Sequence, residues 1–201
     1  KIIKVRGGAM SRNESFTSVE KNVEEKASIC TEEKMTIAKY AAELIENGDF
    51  VFLDAGTTTE KMIDYLNVKD VTFVTNGFIH AKKLARKGYK VFITGGEIKA
   101  STEAIVGAEC ILTLKNYNFT KCFMGTNGIS LTAGFTTPDV NEARVKSAAI
   151  ESSREVYVLA DHSKFDEVSS ATFAGLGKAV IITDRIPNRK YNNAADITEV
   201  G

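Results

Sequence analysis

The chain has no excess of either charge, no paired cysteines, no clustered histidines and no long apolar run. Each lack removes a class of function. The 26 Lys and Arg residues balance 26 Asp and Glu, which argues against a nucleic-acid-binding domain, normally basic in excess. Cys30, Cys110 and Cys122 are odd in number and contain no Cys-x-x-Cys pair. Neither a disulfide framework nor a structural zinc site is therefore expected, and a reducing cytoplasm fits best. His80 and His162 stand apart in the sequence, so a histidine-built metal centre is not expected, nor is any cofactor. No apolar segment approaches the length of a membrane span, and no secretory signal opens the chain. Low-complexity segments and internal repeats are absent too. What remains is 201 residues of ordinary composition, enough for one large domain with a substantial core.

The stretch that organises the chain is Val51-Phe52-Leu53-Asp54-Ala55-Gly56-Thr57-Thr58-Thr59. An apolar run ends in a small acidic-glycine turn, and three hydroxyl residues then open a helix. A buried strand that turns sharply into a helix start presents free backbone N–H groups and a positive dipole end. Threonine hydroxyls add donors that can wrap an anion, a phosphate above all. The plainer alternative is that Thr57 or Thr58 only caps the helix.

Around this stretch the pattern alternates. Residues Lys1 to Glu25 are polar and weakly periodic, with a strand-like start at Lys1–Arg6 that reads as entered midway, after a domain that is not in the chain. Thr31 is expected to cap a helix whose apolar positions run through Ile45, with Asn47-Gly48 ending it. Strands are expected at 51–53, 71–75, 90–94, 121–124, 155–160 and 179–183, with a short edge strand near 196–200. Helices are expected at 59–66, from Asn76-Gly77 through Arg86, about 104–115, and from the cap Thr137 and first-turn Pro138 to about Ser153. Strands and helices in this order predict an α/β fold: an open, mostly parallel sheet with helices on both faces.

In such sheets ligands gather beyond the carboxyl ends of the strands. Those ends read Asp54–Thr59, Thr75-Asn76-Gly77, Thr94-Gly95-Gly96, Gly125-Thr126-Asn127-Gly128 and Asp161-His162-Ser163-Lys164. Together they suggest a rim for a small polyhydroxylated anion, with glycines permitting close approach and Lys164 supplying a point charge. Glu142 and Lys146, four residues apart, are spaced as a helical ion pair. They are also placed to line the mouth of that rim. Apolar residues from Phe165 to Phe173 suit the core better than an interface.

These motifs, in this order, resemble the effector-sensing domain of DeoR-type transcriptional repressors. The resemblance rests on Asp54–Thr59, Val74–Gly77, Thr94–Glu97, Gly125–Ile129, Gly134–Pro138, Glu142–Lys146 and Leu159–Phe165, and it covers nearly the whole chain. Arg6-Gly7-Gly8-Ala9 looks like the segment just after the winged helix-turn-helix of that family. The resemblance implies a linker over 1–25, following a missing DNA-binding domain, and an effector domain over 26–201. It also implies a fold similar to ribose-5-phosphate isomerase and CoA-transferase-like proteins, self-association, and operator DNA bound through the missing domain. By the same resemblance, Gly56, Thr57, Thr58 and Thr59 would hold the phosphate of a sugar phosphate. Thr75, Asn76, Gly95, Gly96, Gly125, Asn127, Gly128 and Lys164 would surround the sugar, with Glu142 and Lys146 at its edge; Asp54 either joins them or only braces the turn.

An isomerase on the same fold is the competing reading, since fold does not fix function. Isomerisation needs a carboxylate placed to remove a proton beside a carbonyl. The isomerases carry Asp-Gly-Ala-Asp-Glu where this chain has Gly125–Ile129, and Asn127 cannot act as a base. A sensor that leaves the sugar intact is the expectation.

Overall fold

The computed structural model describes residues 2–5, 8–11, 14–18 and 22–201. In chain order, a hairpin joins β1 (Ile2–Val5) to β2 (Gly8–Ser11), and β3 (Ser15–Thr17), α1 (Val23–Ala27) and α2 (Thr31–Glu43) follow. The expected first strand is therefore present over Ile2–Val5, while Lys1, Arg6 and Gly7 lie outside the described residues. The alternating body runs β4 (Phe50–Leu53), α3 (Thr57–Tyr65), β5 (Thr72–Thr75), α4 (Phe78–Arg86) and β6 (Lys90–Ile93). A second hairpin, β7 (Glu97–Lys99) and β8 (Ala104–Val106), leads into α5 (Ala108–Lys115) and β9 (Phe119–Gly125). Then come β10 (Gly128–Ser130), β11 (Gly134–Thr137), α6 (Val140–Glu151), β12 (Ser153–Leu159), β13 (Glu167–Ser169), β14 (Ala171–Ala174), β15 (Val180–Thr183) and β16 (Asp196–Glu199).

Seven strands form one sheet in the order β16-β15-β12-β9-β4-β5-β6, and every pairing within it is parallel. Side chains alternate across a strand, so a sheet covered on both faces needs apolar residues at successive positions. The central strands supply them. Val51 and Leu53 of β4, Phe123 of β9, Leu159 of β12 and Ile182 of β15 pack with Ile37 and Ala41 of α2, Met62 and Ile63 of α3, and Leu84 of α4. Their neighbours Phe52, Cys122, Met124, Val158 and Ile181 face the other way, onto Cys110 and Leu114 of α5 and Val145 and Ala149 of α6. Parallel strands joined by helices on two faces make the expected α/β sheet, with all connecting helix starts gathered at one edge. Phe165 and Phe173 are buried in the second of these cores, as their apolar spacing suggested.

Beyond the sheet's carboxyl edge, β10, β11 and β14 form a small antiparallel sheet, and β3 lies parallel to β13 beside it.

Four element boundaries differ from expectation, each for a local reason. Residues 104–115 are not one helix: Gly107 adopts φ +108°, and the strand before it is tied down by the Ile105 N–H to the Asn76 carbonyl at 2.7 Å. Helix α6 is capped by Asp139 rather than Thr137. One Asp139 oxygen accepts the N–H groups of Asn141 (2.8 Å) and Glu142 (2.9 Å), while Thr137 closes β11. Thr31 is the first residue of α2, and Cys30 precedes it in the left-handed region at φ +51°. Helix α3 begins at Thr57, with extended Gly56 at its cap.

Candidate functional site

At the carboxyl edge a cavity of about 500 Å³ opens between the strand ends and the N-terminal residues. Its floor is the turn after β4. The first helical bond of α3 runs from the Glu60 N–H to the Gly56 carbonyl at 2.8 Å. The N–H groups of Thr57 and Thr58 lie before it, as orphan donors at the positive end of the helix, and both residues line the cavity.

The turn is braced from behind. Asn76 accepts the Ala55 N–H through Oδ1 at 3.0 Å and donates to the Ile105 carbonyl at 3.3 Å. The Thr59 hydroxyl reaches the carbonyls of Asp54 (2.6 Å) and Gly56 (2.8 Å) and lies 3.1 Å from Nε2 of His80. That ring nitrogen is also 3.1 Å from the Gly56 carbonyl. Burial pushes the His80 imidazole down to about 4, so it is neutral around pH 7. Fully buried, Asn76 and Thr59 thus shape the turn from outside the cavity wall.

Two carboxylates sit deeper, each held by a cation. Asp54 is buried and accepts from the Gly125 N–H at 3.0 Å and from the Lys146 ammonium, which also donates to the Gly125 carbonyl at 3.0 Å. Burial pushes the Asp54 carboxyl up, against the pull of Lys146 and the Gly125 N–H. Glu142 accepts from Lys99 (3.2 Å), Thr102 (2.7 Å) and Thr137 (3.3 Å). Burial would raise it, but Lys146, the Thr102 hydroxyl and Lys99 together hold it below the usual carboxylate range. The helical spacing of Glu142 and Lys146 therefore does not make a hydrogen-bonded pair: the two side chains take partners from other elements, Lys99 and Asp54. Asn127 completes this wall, its Oδ1 accepting from the Thr137 hydroxyl at 3.2 Å.

The third wall comes from the end of β12. Asp161 accepts the Ser163 N–H at 3.0 Å, and Lys164 sits 4.0 Å from its other oxygen. Burial would raise the Asp161 carboxyl, but Lys164 and the Ser163 bonds hold it low. Lys34, from the first turns of α2, lines the same wall almost wholly buried and donates to the Lys26 carbonyl. Burial lowers its pKa.

Of the residues expected at the rim, Asp54, Gly56, Thr57, Thr58, Gly125, Asn127, Glu142, Lys146 and Lys164 line the cavity. Thr59, Thr75, Asn76, Gly95, Gly96 and Gly128 do not. Thr75 is buried, its hydroxyl accepting the Gly77 N–H at 2.9 Å. Gly96 adopts φ +133°, and a Cβ there would collide with the Val106 carbonyl, so this glycine serves the close turn into β7. A Cβ at Gly128 would strike the Glu167 carbonyl where β10 meets β13.

Lys34, His80, Thr102 and the wall formed by Ser15–Thr17, Val23, Lys26 and Ile29 were not singled out from sequence. An amphipathic helix gives no sign that a lysine near its start turns inward. Sequence separation also hid one grouping: ligand atoms of Glu33, His162 and Asp184 lie within 4.8 Å of one another. Both Asp184 oxygens already meet His162, one at its main-chain N–H (2.7 Å) and one at ring Nδ1 (2.7 Å), which accounts for that pair without an ion. Among the described residues no helix is long and apolar enough to cross a membrane.

The family model and the sequence relatives agree in class. The family model described as the DeoR C terminal sensor domain matches residues 29–185. The HTH-type transcriptional regulator FruR of Bacillus subtilis is 43% identical over 198 residues, covering 98% of this chain and 78% of that protein. The HTH-type transcriptional repressor GlcR of the same organism is 34% identical, covering 97% and 75%. A lactose phosphotransferase system repressor of Staphylococcus epidermidis is 33% identical, covering 99% and 80%. Among solved structures, ribose 5-phosphate isomerase A of Methanocaldococcus jannaschii overlays 66% of this chain and 53% of its own, with a TM-score of 0.46 at 17% identity.

Proposed function

This chain belongs to the DeoR C-terminal sensor-domain family, and we propose that it senses a phosphorylated sugar and so modulates operator binding by a helix-turn-helix domain of the same regulator. The observation that carries this reading is the first turn of α3. Among the described residues the N–H groups of Thr57 and Thr58 have no partner, and both threonines line a cavity that Lys34 and Lys164 also line. A phosphate there meets a helix dipole and two cations, while Asn127, Thr126 and Glu142 supply the mixed donors and acceptors that hydroxyl groups need. The volume, about 500 Å³, suits a small polar ligand. A relative named as a lactose phosphotransferase system repressor supports the same class of effector. The setting is cytoplasmic and the regulator self-associates.

The domain is a sensor rather than an isomerase. Proton abstraction needs an unencumbered base beside the sugar. Asp54 is committed to Lys146, Glu142 to Lys99 and two threonines, and the strand end after β9 offers Asn127, an amide.

A ligand that binds only the folded state raises the melting temperature. Hexose and pentose phosphates at millimolar concentration are expected to do so, and the corresponding free sugars much less. A flat response to the whole panel removes the reading. Turnover of any of these compounds at enzymatic rates removes the sensor half of it.

A further inference from the structure

Two described pieces before residue 30 are part of the cavity wall. Ser15, Phe16 and Thr17 of β3 line it from one side, and Val23, Lys26 and Ile29 from the other. Phe16 remains about half exposed there (49%).

β3 pairs in parallel with β13, and the other contacts named below belong to the other walls of the site. Glu14 is buried, its carboxylate accepting from the hydroxyls of Ser130 (2.7 Å) and Thr132 (3.4 Å). The Ser15 N–H reaches the Asp166 carbonyl at 2.9 Å, two residues past Lys164. The Val23 N–H reaches the Ser101 carbonyl at 3.2 Å. Ser101 adjoins Thr102, which donates to Glu142. Lys34 donates to the Lys26 carbonyl. Helix α1 itself has no buried residue; a capping box, with the Glu25 N–H on Asn22 at 2.8 Å and the Asn22 N–H on Glu25 at 3.0 Å, opens it.

A five-residue helix without buried side chains is at the low end of local stability. Such an element, forming one wall of a binding site, is ordered by whatever fills the site. The coupling is a difference in free energy between its docked and loosened states. The anchor at Glu14 lies outside the cavity wall, so it sets that difference without touching a ligand.

We infer that residues 14–18 and 22–29 are a strap that docks over the occupied cavity, so that ligand binding fixes the direction in which the chain enters the sensor domain. This rests on the sugar-phosphate reading and adds the route by which occupancy leaves the site: through Lys34 to the Lys26 carbonyl, and through Glu142, Thr102 and Ser101 to Val23. The strap's contribution to affinity is expected to be roughly tenfold, inside the usual range of coupling between sites.

Hydrogen–deuterium exchange of the whole chain tests it, with fructose 1-phosphate, glucose 6-phosphate and ribose 5-phosphate as probes and thermal shift as the measure of binding. A probe that raises the melting temperature is expected to slow exchange in 14–18 and 22–29. Glu14→Gln should bind that probe roughly tenfold more weakly, as should the exposed-site variant Phe16→Ala, which leaves the core untouched. Thr58→Val should reduce the thermal shift and the protection together. Protection confined to 54–59 and 161–164, with the strap's exchange unchanged and both strap variants binding normally, overturns the strap and leaves the sugar-phosphate reading standing. No thermal shift with any probe overturns both.

Discussion

Strand β4 is flanked by two buried aspartates, one residue before it and one after, and each meets a lysine brought from elsewhere in the fold. Asp49, at the amino end, uses both oxygens. Oδ1 accepts from the Thr120 hydroxyl at 2.7 Å, and Oδ2 from Lys121 and the Glu46 N–H, each at 2.8 Å. Asp54, at the carboxyl end, places both of its side-chain bonds on Oδ2, from Lys146 and Gly125, and it lines a cavity. The Asp49 carboxyl lies below the usual range because Lys121, Glu46 and Thr120 outweigh its burial, whereas burial prevails at Asp54. The first carboxylate is bonded through both of its oxygens, the second through one, beside the cavity. The same strand thus separates a structural end from a binding end, as an open parallel sheet does generally.

The largest test removes each cation. Leaving a buried carboxylate unpaired typically costs about 3–5 kcal/mol, so Lys146→Met and Lys121→Met should both lose about that much in urea denaturation. Only Lys146→Met should also lose sugar-phosphate binding. Equal binding by both variants would erase the contrast between the two ends.

The brace behind the binding end should show in pH. A base whose folded pKa is depressed contributes stability that is present above its unfolded value and lost as pH falls through the folded one. For His80 that window runs from the ordinary 6.5 down to about 4, worth about 3 kcal/mol at 1.36 kcal/mol per unit. The wild type is expected to lose that much more stability than His80→Gln across the window. Parallel curves would mean that His80 does not brace the turn as a neutral ring.

Next in size is the hydroxyl at Thr58. A hydrogen bond to a charged group contributes about 1.5–3 kcal/mol, so Thr58→Val should weaken phosphate-dependent affinity by about tenfold to a hundredfold in calorimetry. Lys121→Met, at the far end, should bind as the wild type does. The smallest effect belongs to Asp49→Asn. Since its folded pKa is depressed, the wild type's advantage of roughly 1 kcal/mol should hold above the ordinary 3.8 and vanish as pH falls through the depressed value. An advantage that persists in acid would show that ionisation of Asp49 is not its source.

Much of this was legible in the sequence, because a sheet covered on both faces needs the continuous apolar runs that 51–53, 71–75 and 121–124 display. The turn at Asp54–Thr59 was legible too, since strand, glycine and hydroxyls are adjacent in the chain. What escaped depends on distant partners. The i,i+4 spacing of Glu142 and Lys146 matched a helical pair, yet Lys99 and Asp54 claim them across 43 and 92 residues. Glycines 95 and 96 matched a ligand rim, but the neighbour that requires Gly96 is the Val106 carbonyl of the β7–β8 hairpin. No local pattern marks Lys34 as inward, because its inward partner is a carbonyl eight residues earlier, reached through the turn at Cys30.

That turn has a practical consequence. Of the three free thiols, Cys110 and Cys122 are buried, whereas Cys30 is partly exposed. It stands at the hinge between α1 and α2, one residue from the cavity-lining Ile29. Burial and the neighbouring Asp161 raise its pKa, so a thiol-reactive fluorophore applied at mildly alkaline pH would mark this position ahead of the other two. The protein carries its own attachment point for an optical reporter of occupancy, at the joint where the site meets the chain that leads into it.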